Sequence, residues 1–452
     1  MSTPRYGRDM RFWEQLEILN EALPEGRLAV AGPQGATPES DVLPRFAYLA
    51  EHVLVRAPDV ERAIDRLQAA LPSPEPVRVV WPPDQDARRV TVRRLSIGSR
   101  DVFRSLGLLR EAGIQSTLVH FVTVSGVNLC PGDEPVPSGE PLKPPIAGRD
   151  RGEDAHVTVI DTGLVHDYLD HQWLAQSSGQ PNIPMVDGDV TTQAEEVDSD
   201  GFIKPYVGHG TFIAGVLRCV APSTDVRVHN GFPYGGAVEE DQLGLLLLQT
   251  LDTHGWPDIL SLSAGTRTND AQALLGLADF VGELADHPET LLVAAAGNDG
   301  ETVPFWPAAF AAEAVNATGD VILSVGALRE DGLGRACFSN YGAWVTVFAP
   351  GERLINAYTS GDYEYDYPHN TTCRFHPVVP LYPGCTCVAP LSEGDVVKFS
   401  GIAQWSGTSF ATPFIAGLIA ARMSEAGVTS RQAAGELISG QLAIPDLSGF
   451  LR

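Results

Sequence analysis

Between residues 46 and 125 the apolar positions switch twice from the two-residue period of a strand to the 3.6-residue period of a helix. Residues 48–55 read as a strand. Val60, Ile64, Leu67 and Leu71 then share one helical face over 58–71. Residues 77–81 and 90–97 are strand-like around a charged turn at 83–89. Val102, Phe103, Leu106 and Leu109 mark a second helix over 101–112, for which Ser99 is the expected cap. Residues 117–124 give the last strand. This β-α-β-β-α-β order is that of a ferredoxin-like α+β unit. Ahead of it, residues 12–22 predict a short amphipathic helix, and 24–44 are rich in Pro and Gly.

The pattern then breaks. Pro131, Pro135, Pro137, Pro141, Pro144 and Pro145 crowd into 126–150, which predicts an extended, semi-rigid spacer. From residue 156 short apolar strands alternate with helices. Strands are expected at 157–160, 226–228, 259–263, 291–296, 321–325 and 344–348. Helices are expected at 211–219, 241–251, 270–285 and 409–426. Such alternation implies an α/β unit whose parallel sheet is covered on both faces. Sites in sheets of that kind form at the carboxyl ends of strands. The chain therefore divides into an N-terminal helix and linker (1–45), the ferredoxin-like unit (46–125), the spacer (126–150) and an α/β domain (151–452).

Four stretches of the α/β part carry candidate chemistry. Asp161 ends the strand Val157-Thr158-Val159-Ile160. His209 stands in Gly208-His209-Gly210-Thr211, where a helix begins. Asn298 follows Ala294-Ala295-Ala296-Gly297. Ser409 lies in Ser406-Gly407-Thr408-Ser409-Phe410-Ala411-Thr412-Pro413, at the first turn of an apolar helix. Each residue alone has a structural reading: a turn cap, a polar helix start, a turn residue, a helix N-cap. An oxygen nucleophile at a helix N-terminus, however, gains backbone donors for the anion formed on attack at a carbonyl.

Composition narrows the classes. The 452 residues hold 31 basic and 57 acidic side chains, a formal charge of −26. That field disfavours nucleic acid and anionic membrane surfaces as partners. No run of 18 apolar residues predicts a membrane span. Residues 1–30 do not read as a signal peptide, and the six cysteines are scattered, so a cytoplasmic chain with reduced thiols is expected, with non-standard export left open.

Taken together, the four stretches resemble the subtilisin-like serine peptidases, the subtilases, over about 157–422, in the chain order Asp, His, Ser. The resemblance implies a subtilisin-like three-layer fold with a parallel sheet, preceded by a small propeptide-type domain. It implies an endopeptidase with Ser409 as nucleophile, His209 as base, Asp161 as orienting carboxylate and Asn298 as oxyanion donor. Ser261, Leu262, Ser263, Ala264 and Gly265 would pair with an extended substrate. Ala295 and Gly297 would line the other wall of the primary pocket. Small walls favour an apolar or aromatic residue before the scissile bond. The partners implied are peptide or protein substrates and the chain's own N-terminal unit as inhibitor, with self-cleavage within 125–151. The rivals are a locked protease-fold scaffold and a partner-activated component of an intracellular assembly.

Departures from the family pattern are local. Residues 361–398 look inserted and hold His369, Cys373, His376, Cys385 and Cys387, a set compatible with zinc but also with a disulfide-bearing or free-thiol surface loop. No cofactor is assigned. Subtilases often bind calcium, but the acidic run Glu195, Glu196, Asp198, Asp200 lacks regular ligand spacing and reads as an exposed charged loop. Cys219 and Cys337 fall in apolar patterns and read as core.

Overall fold

The computed structural model of the chain describes residues 8–124, 134–138, 151–175, 185–313, 321–365 and 394–444. Its first element is α1 (Arg8–Ala22), followed by β1 (Ala29–Gly32), β2 (Phe46–Arg56), α2 (Val60–Ala70), β3 (Arg78–Trp81), β4 (Val92–Ser96), α3 (Val102–Glu111) and β5 (Ser116–Thr123). The strands pair in the order β5-β2-β4-β3, with β1 added antiparallel to β2. The helical cap differs from expectation. Asp101, not Ser99, is the N-cap of α3, its carboxylate accepting from the Arg104 N–H at 2.7 Å. The Ser99 N–H instead donates to Glu75.

Strand alternation sorts the side chains of this sheet. Val53, Val55 and Leu118 face Leu67, Leu106 and Leu109 of α2 and α3. Leu54, Val119 and Phe121 face the other way, onto Phe12, Leu16 and Leu19 of α1 and onto Leu275 of the second half of the chain.

That second half contributes β6 (Val136–Pro137), β7 (His156–Asp161), α4 (Gln172–Ala175), β8 (Val186–Gly188), α5 (Gln193–Glu196), α6 (His209–Val220), β9 (Asp225–Asn230), β10 (Ala237–Glu239), α7 (Glu240–His254), β11 (Ile259–Leu262), α8 (Ala278–Asp286), β12 (Leu291–Ala295), β13 (Ile322–Leu328), β14 (Val347–Pro350), β15 (Leu354–Glu364), β16 (Val396–Trp405), α9 (Thr408–Ala426) and α10 (Ser430–Ile438). A seven-stranded parallel sheet runs in the order β14-β13-β12-β11-β7-β9-β8. Alternate residues again serve opposite faces. Val157, Val159, Ile259, Val293 and Leu323 pack with α6 and α9. Ile160, Leu260, Leu262, Leu292 and Ile322 pack with Leu243, Leu247 and Phe280 of α7 and α8. The sheet is thus apolar on both sides, as its unbroken apolar strands require.

Three local expectations are corrected. The helix expected over 270–285 is only α8, preceded by two 3-10 turns. Asp270 takes φ 60°, and Gly276 presses so closely on α7 that an added Cβ would lie 2.6 Å from the Asp241 nitrogen. The expected strand 344–348 begins only at Val347. The outer parts of the expected insertion, Gly361–Glu364 and Val396–Lys398, are limbs of the β15–β16 hairpin. His369, Cys373, His376, Cys385 and Cys387 lie outside the described residues, as does most of 126–150; within that spacer Val136–Pro137 pairs with β16.

The acidic run is not wholly exposed. Glu196 is buried, and its carboxylate accepts from His166, Thr191 and Thr359. Cys219 and Cys337 are both buried in the core, as their apolar surroundings in the sequence imply. Among the described residues no helix is long and apolar enough to cross a membrane.

Candidate active site

The sheet delivers its functional groups at one end. β7 finishes on Asp161, β12 leads into Ala296-Gly297-Asn298, and the first turns of α6 and α9 hold His209 and Ser409. All four residues are buried. His209 Nδ1 lies 2.8 Å from Asp161 Oδ1, and the Thr162 N–H donates to the same oxygen at 2.8 Å. A carboxylate accepting from Nδ1–H fixes the tautomer that leaves Nε2 free to take a proton. Trp405 and Phe410, themselves in contact, both pack against the imidazole, each with its ring centroid 5.3 Å away. Sequence reading did not identify either aromatic residue as part of the site.

Asn298 is oriented by its neighbour. Its Oδ1 accepts from the Thr408 N–H at 2.8 Å and the Thr408 hydroxyl at 2.9 Å. The carbonyl end is therefore committed, which leaves the amide nitrogen as the outward donor. Asn340 holds the same turn, donating to the Ala296 carbonyl at 2.8 Å and accepting from the Asp299 N–H at 3.0 Å. Nothing local in the sequence marks Asn340, because its contacts cross some forty residues.

Ser409 is placed beside the other groups but is hydrogen-bonded elsewhere. Its hydroxyl meets the Val124 carbonyl at 3.4 Å and the Ser263 carbonyl at 3.5 Å. Among the described residues no Ser409–His209 hydrogen bond forms. The chain itself runs through the cleft beside Ser409. β5 pairs antiparallel with β10, matching Phe121 with Glu239, Val122 with Val238 and Thr123 with Ala237. Thr123 also exchanges two backbone bonds with Gly265, at 3.1 and 2.9 Å, and the Val124 N–H donates to the Gly236 carbonyl at 2.9 Å. An extended segment so flanked occupies the place of a β-augmenting peptide.

Of the residues expected to bind substrate, the structure separates two groups. Ser261 and Leu262 lie inside β11, paired on one side with β12 and on the other with β7, so they have no free edge. Ser263, Ala264 and Gly265 follow the strand, and Gly265 pairs with Thr123 of the segment lying in the cleft. Ala295 ends β12 and Gly297 turns beyond it.

The N-terminal segment is fastened by buried charge. Arg94 Nε donates to Asp241 Oδ2 at 2.8 Å, and Arg27 pairs with Glu239 at 2.7 Å. His120 Nδ1 lies 2.7 Å from Glu240 Oε1, whose other oxygen accepts from the Gly276 N–H. Burial pushes the Glu239 carboxyl above the usual range, opposed by the Arg94 charge. Helix α1 lies over the same region: Gln15 donates to the Tyr206 hydroxyl at 3.1 Å, and Ile18 packs on Gly235.

Comparison with known proteins gives a consistent result. The sequence model of the Subtilase family matches residues 152–438, more than half of the chain. A thermophilic serine proteinase of Bacillus sp. strain AK1 is 28 % identical over 230 residues, covering 46 % of this chain and 47 % of that protein. Thermitase of Thermoactinomyces vulgaris is 26 % identical over 224 residues, 47 % of this chain and 68 % of that protein. Subtilisin-like protease 2 of Arthroderma otae is 25 % identical over 327 residues, 70 % of this chain and 60 % of that protein. The chain thus spans about half to two thirds of the length of these curated relatives.

Proposed function

The chain belongs to the subtilase family, and from that premise we propose that it is a serine endopeptidase held in check by its own N-terminal segment. Ser409 Oγ attacks the peptide carbonyl carbon while His209 Nε2 takes the hydroxyl proton. Asp161 stabilises the imidazolium through Nδ1–H. The Asn298 amide and the Ser409 backbone N–H receive the oxyanion. The C–N bond then breaks, the leaving amine takes the proton from His209, and water releases the acyl group by the same steps.

One observation carries the regulatory part: the Val124 carbonyl rests 3.4 Å from Ser409 Oγ at the end of a strand paired to both sides of the cleft. That segment stands where a peptide substrate would. The N-terminal unit is therefore both inhibitor and first substrate, and the chain cleaves itself just downstream of Val124, at the start of the Pro-rich spacer. Once the cut end leaves, the Ser409 hydroxyl is free to turn to His209.

Mass spectrometry of the purified full-length wild type and its Ser409→Ala variant tests this. The wild type should yield a fragment ending at Ser125 or Gly126, and the variant should stay intact. A wild type that also stays intact, yet labels with a fluorophosphonate, retains the peptidase and loses the self-processing. Failure to label as well favours the locked scaffold.

A further inference from the structure

We propose that Phe305 fills the pocket for the residue before the scissile bond, so that this enzyme cleaves after glycine, alanine or serine and rejects aromatic residues. The inference rests on the peptidase reading above. On that reading the two walls of the pocket are the segments following β11 and β12, and each presents a glycine, Gly265 and Gly297. Phe305 stands between them. A Cβ added at Gly265 would lie 2.7 Å from Phe305 Cδ1, and one added at Gly297 would lie 2.9 Å from the same atom. One ring carbon therefore touches both walls, and no layer of atoms fits between it and either glycine. The ring itself is only 4 % exposed.

The plug is fixed. Thr266 and Trp306 exchange backbone bonds at 2.8 Å each, tying the segment that carries Phe305 to the wall that carries Gly265. Two residues beyond each glycine, Arg267 pairs with Asp299 at 3.0 Å, which clasps the walls together. The expectation that small walls make room for a large apolar residue is thus reversed: the walls are small because Phe305 already occupies the slot. A substrate aromatic side chain needs about 150–250 Å² of burial, and that space is taken. Val124 does not enter this slot. Its Cγ2 would lie 2.9 Å from a Cβ on Gly236, on a different wall of the cleft. The residues after it in sequence, Ser125 and Gly126, are both small.

The test uses the full-length wild type with its Phe305→Ala and Phe305→Leu variants. Peptides of one sequence differ only in carrying Gly, Ala, Ser, Leu or Phe before the intended bond. Fluorophosphonate labelling, run in parallel, counts competent active sites. The wild type should favour Ala or Ser over Phe by a factor on the order of 100 in kcat/KM. Phe305→Ala should narrow or invert that ratio, and Phe305→Leu should raise cleavage after Leu. If neither variant folds, the wild-type ratio decides alone. A labelled wild type that cleaves after Phe as fast as after Ala overturns the pocket inference and leaves the peptidase standing, as do labelled variants with unchanged ratios. A chain that neither labels nor cleaves any peptide overturns both.

Discussion

The hydroxyl of Ser263 donates to the main-chain carbonyl of Ser409 at 2.8 Å. The need for it is written into α9, where Pro413 stands four residues after Ser409. Proline has no N–H, so the Ser409 carbonyl loses the donor that a helix would supply. A serine from the end of a neighbouring strand replaces it, and the residue proposed as nucleophile is fixed through its own backbone.

Ser263→Ala should therefore cost about 1–3 kcal/mol, the penalty for a buried acceptor left unpaired. Urea unfolding reads the loss as a lower midpoint with an unchanged slope. Adding Pro413→Ala restores a backbone donor and should recover part of it. A double variant as unstable as the single one would refute this account.

Asn298→Ala should lower kcat much more than it changes KM. The Oδ1 bonds to Thr408 leave the amide nitrogen to donate to the anion that the proposed reaction develops. Removing one such donor from a subtilisin costs on the order of 10²–10³ in kcat. Steady-state kinetics on one peptide checks it. A rise in KM at constant kcat would mean that the amide binds substrate rather than the transition state.

Arg94→Ala removes the cation between Asp241 and Glu239, which are fully buried. Breaking a buried pair from one side costs roughly 3–5 kcal/mol. Because the pair joins β4 to the start of α7, the loss should fall on the attachment of the N-terminal unit. Fluorophosphonate labelling of Ser409 should accelerate relative to wild type. Equal labelling rates would show that the attachment does not limit access to the cleft.

Burial pushes the Cys219 thiol up to about 12. At pH 8 it is therefore protonated and enclosed, and iodoacetamide should leave it unmodified in the native chain while modifying it after denaturation. Residue-level mass spectrometry distinguishes it from the other cysteines. Modification of Cys219 under native conditions would contradict its place in the core.

Local periodicity made much of the architecture legible. A two-residue or 3.6-residue apolar repeat follows from how a backbone presents side chains, so β2, α2 and β5 could be read from it, while β7, β12 and α9 showed as unbroken apolar runs. Asp161, His209, Asn298 and Ser409 were legible because their motifs are long and come in a telling order. The short β10 was not, since three residues carry no usable period. Glu196 looked exposed because its partners Thr359 and His166 are distant in sequence.

The chain by itself thus determined most of its elements and the four residues that the proposed chemistry uses. Only the tertiary structure decided that the carbonyl of Val124, 285 residues before Ser409, meets the Ser409 hydroxyl, and that the Phe305 ring stands between Gly265 and Gly297. Those are contacts between surfaces that meet only when the sheets are assembled, and the strength of such contacts depends on distance in space, of which sequence separation gives no measure.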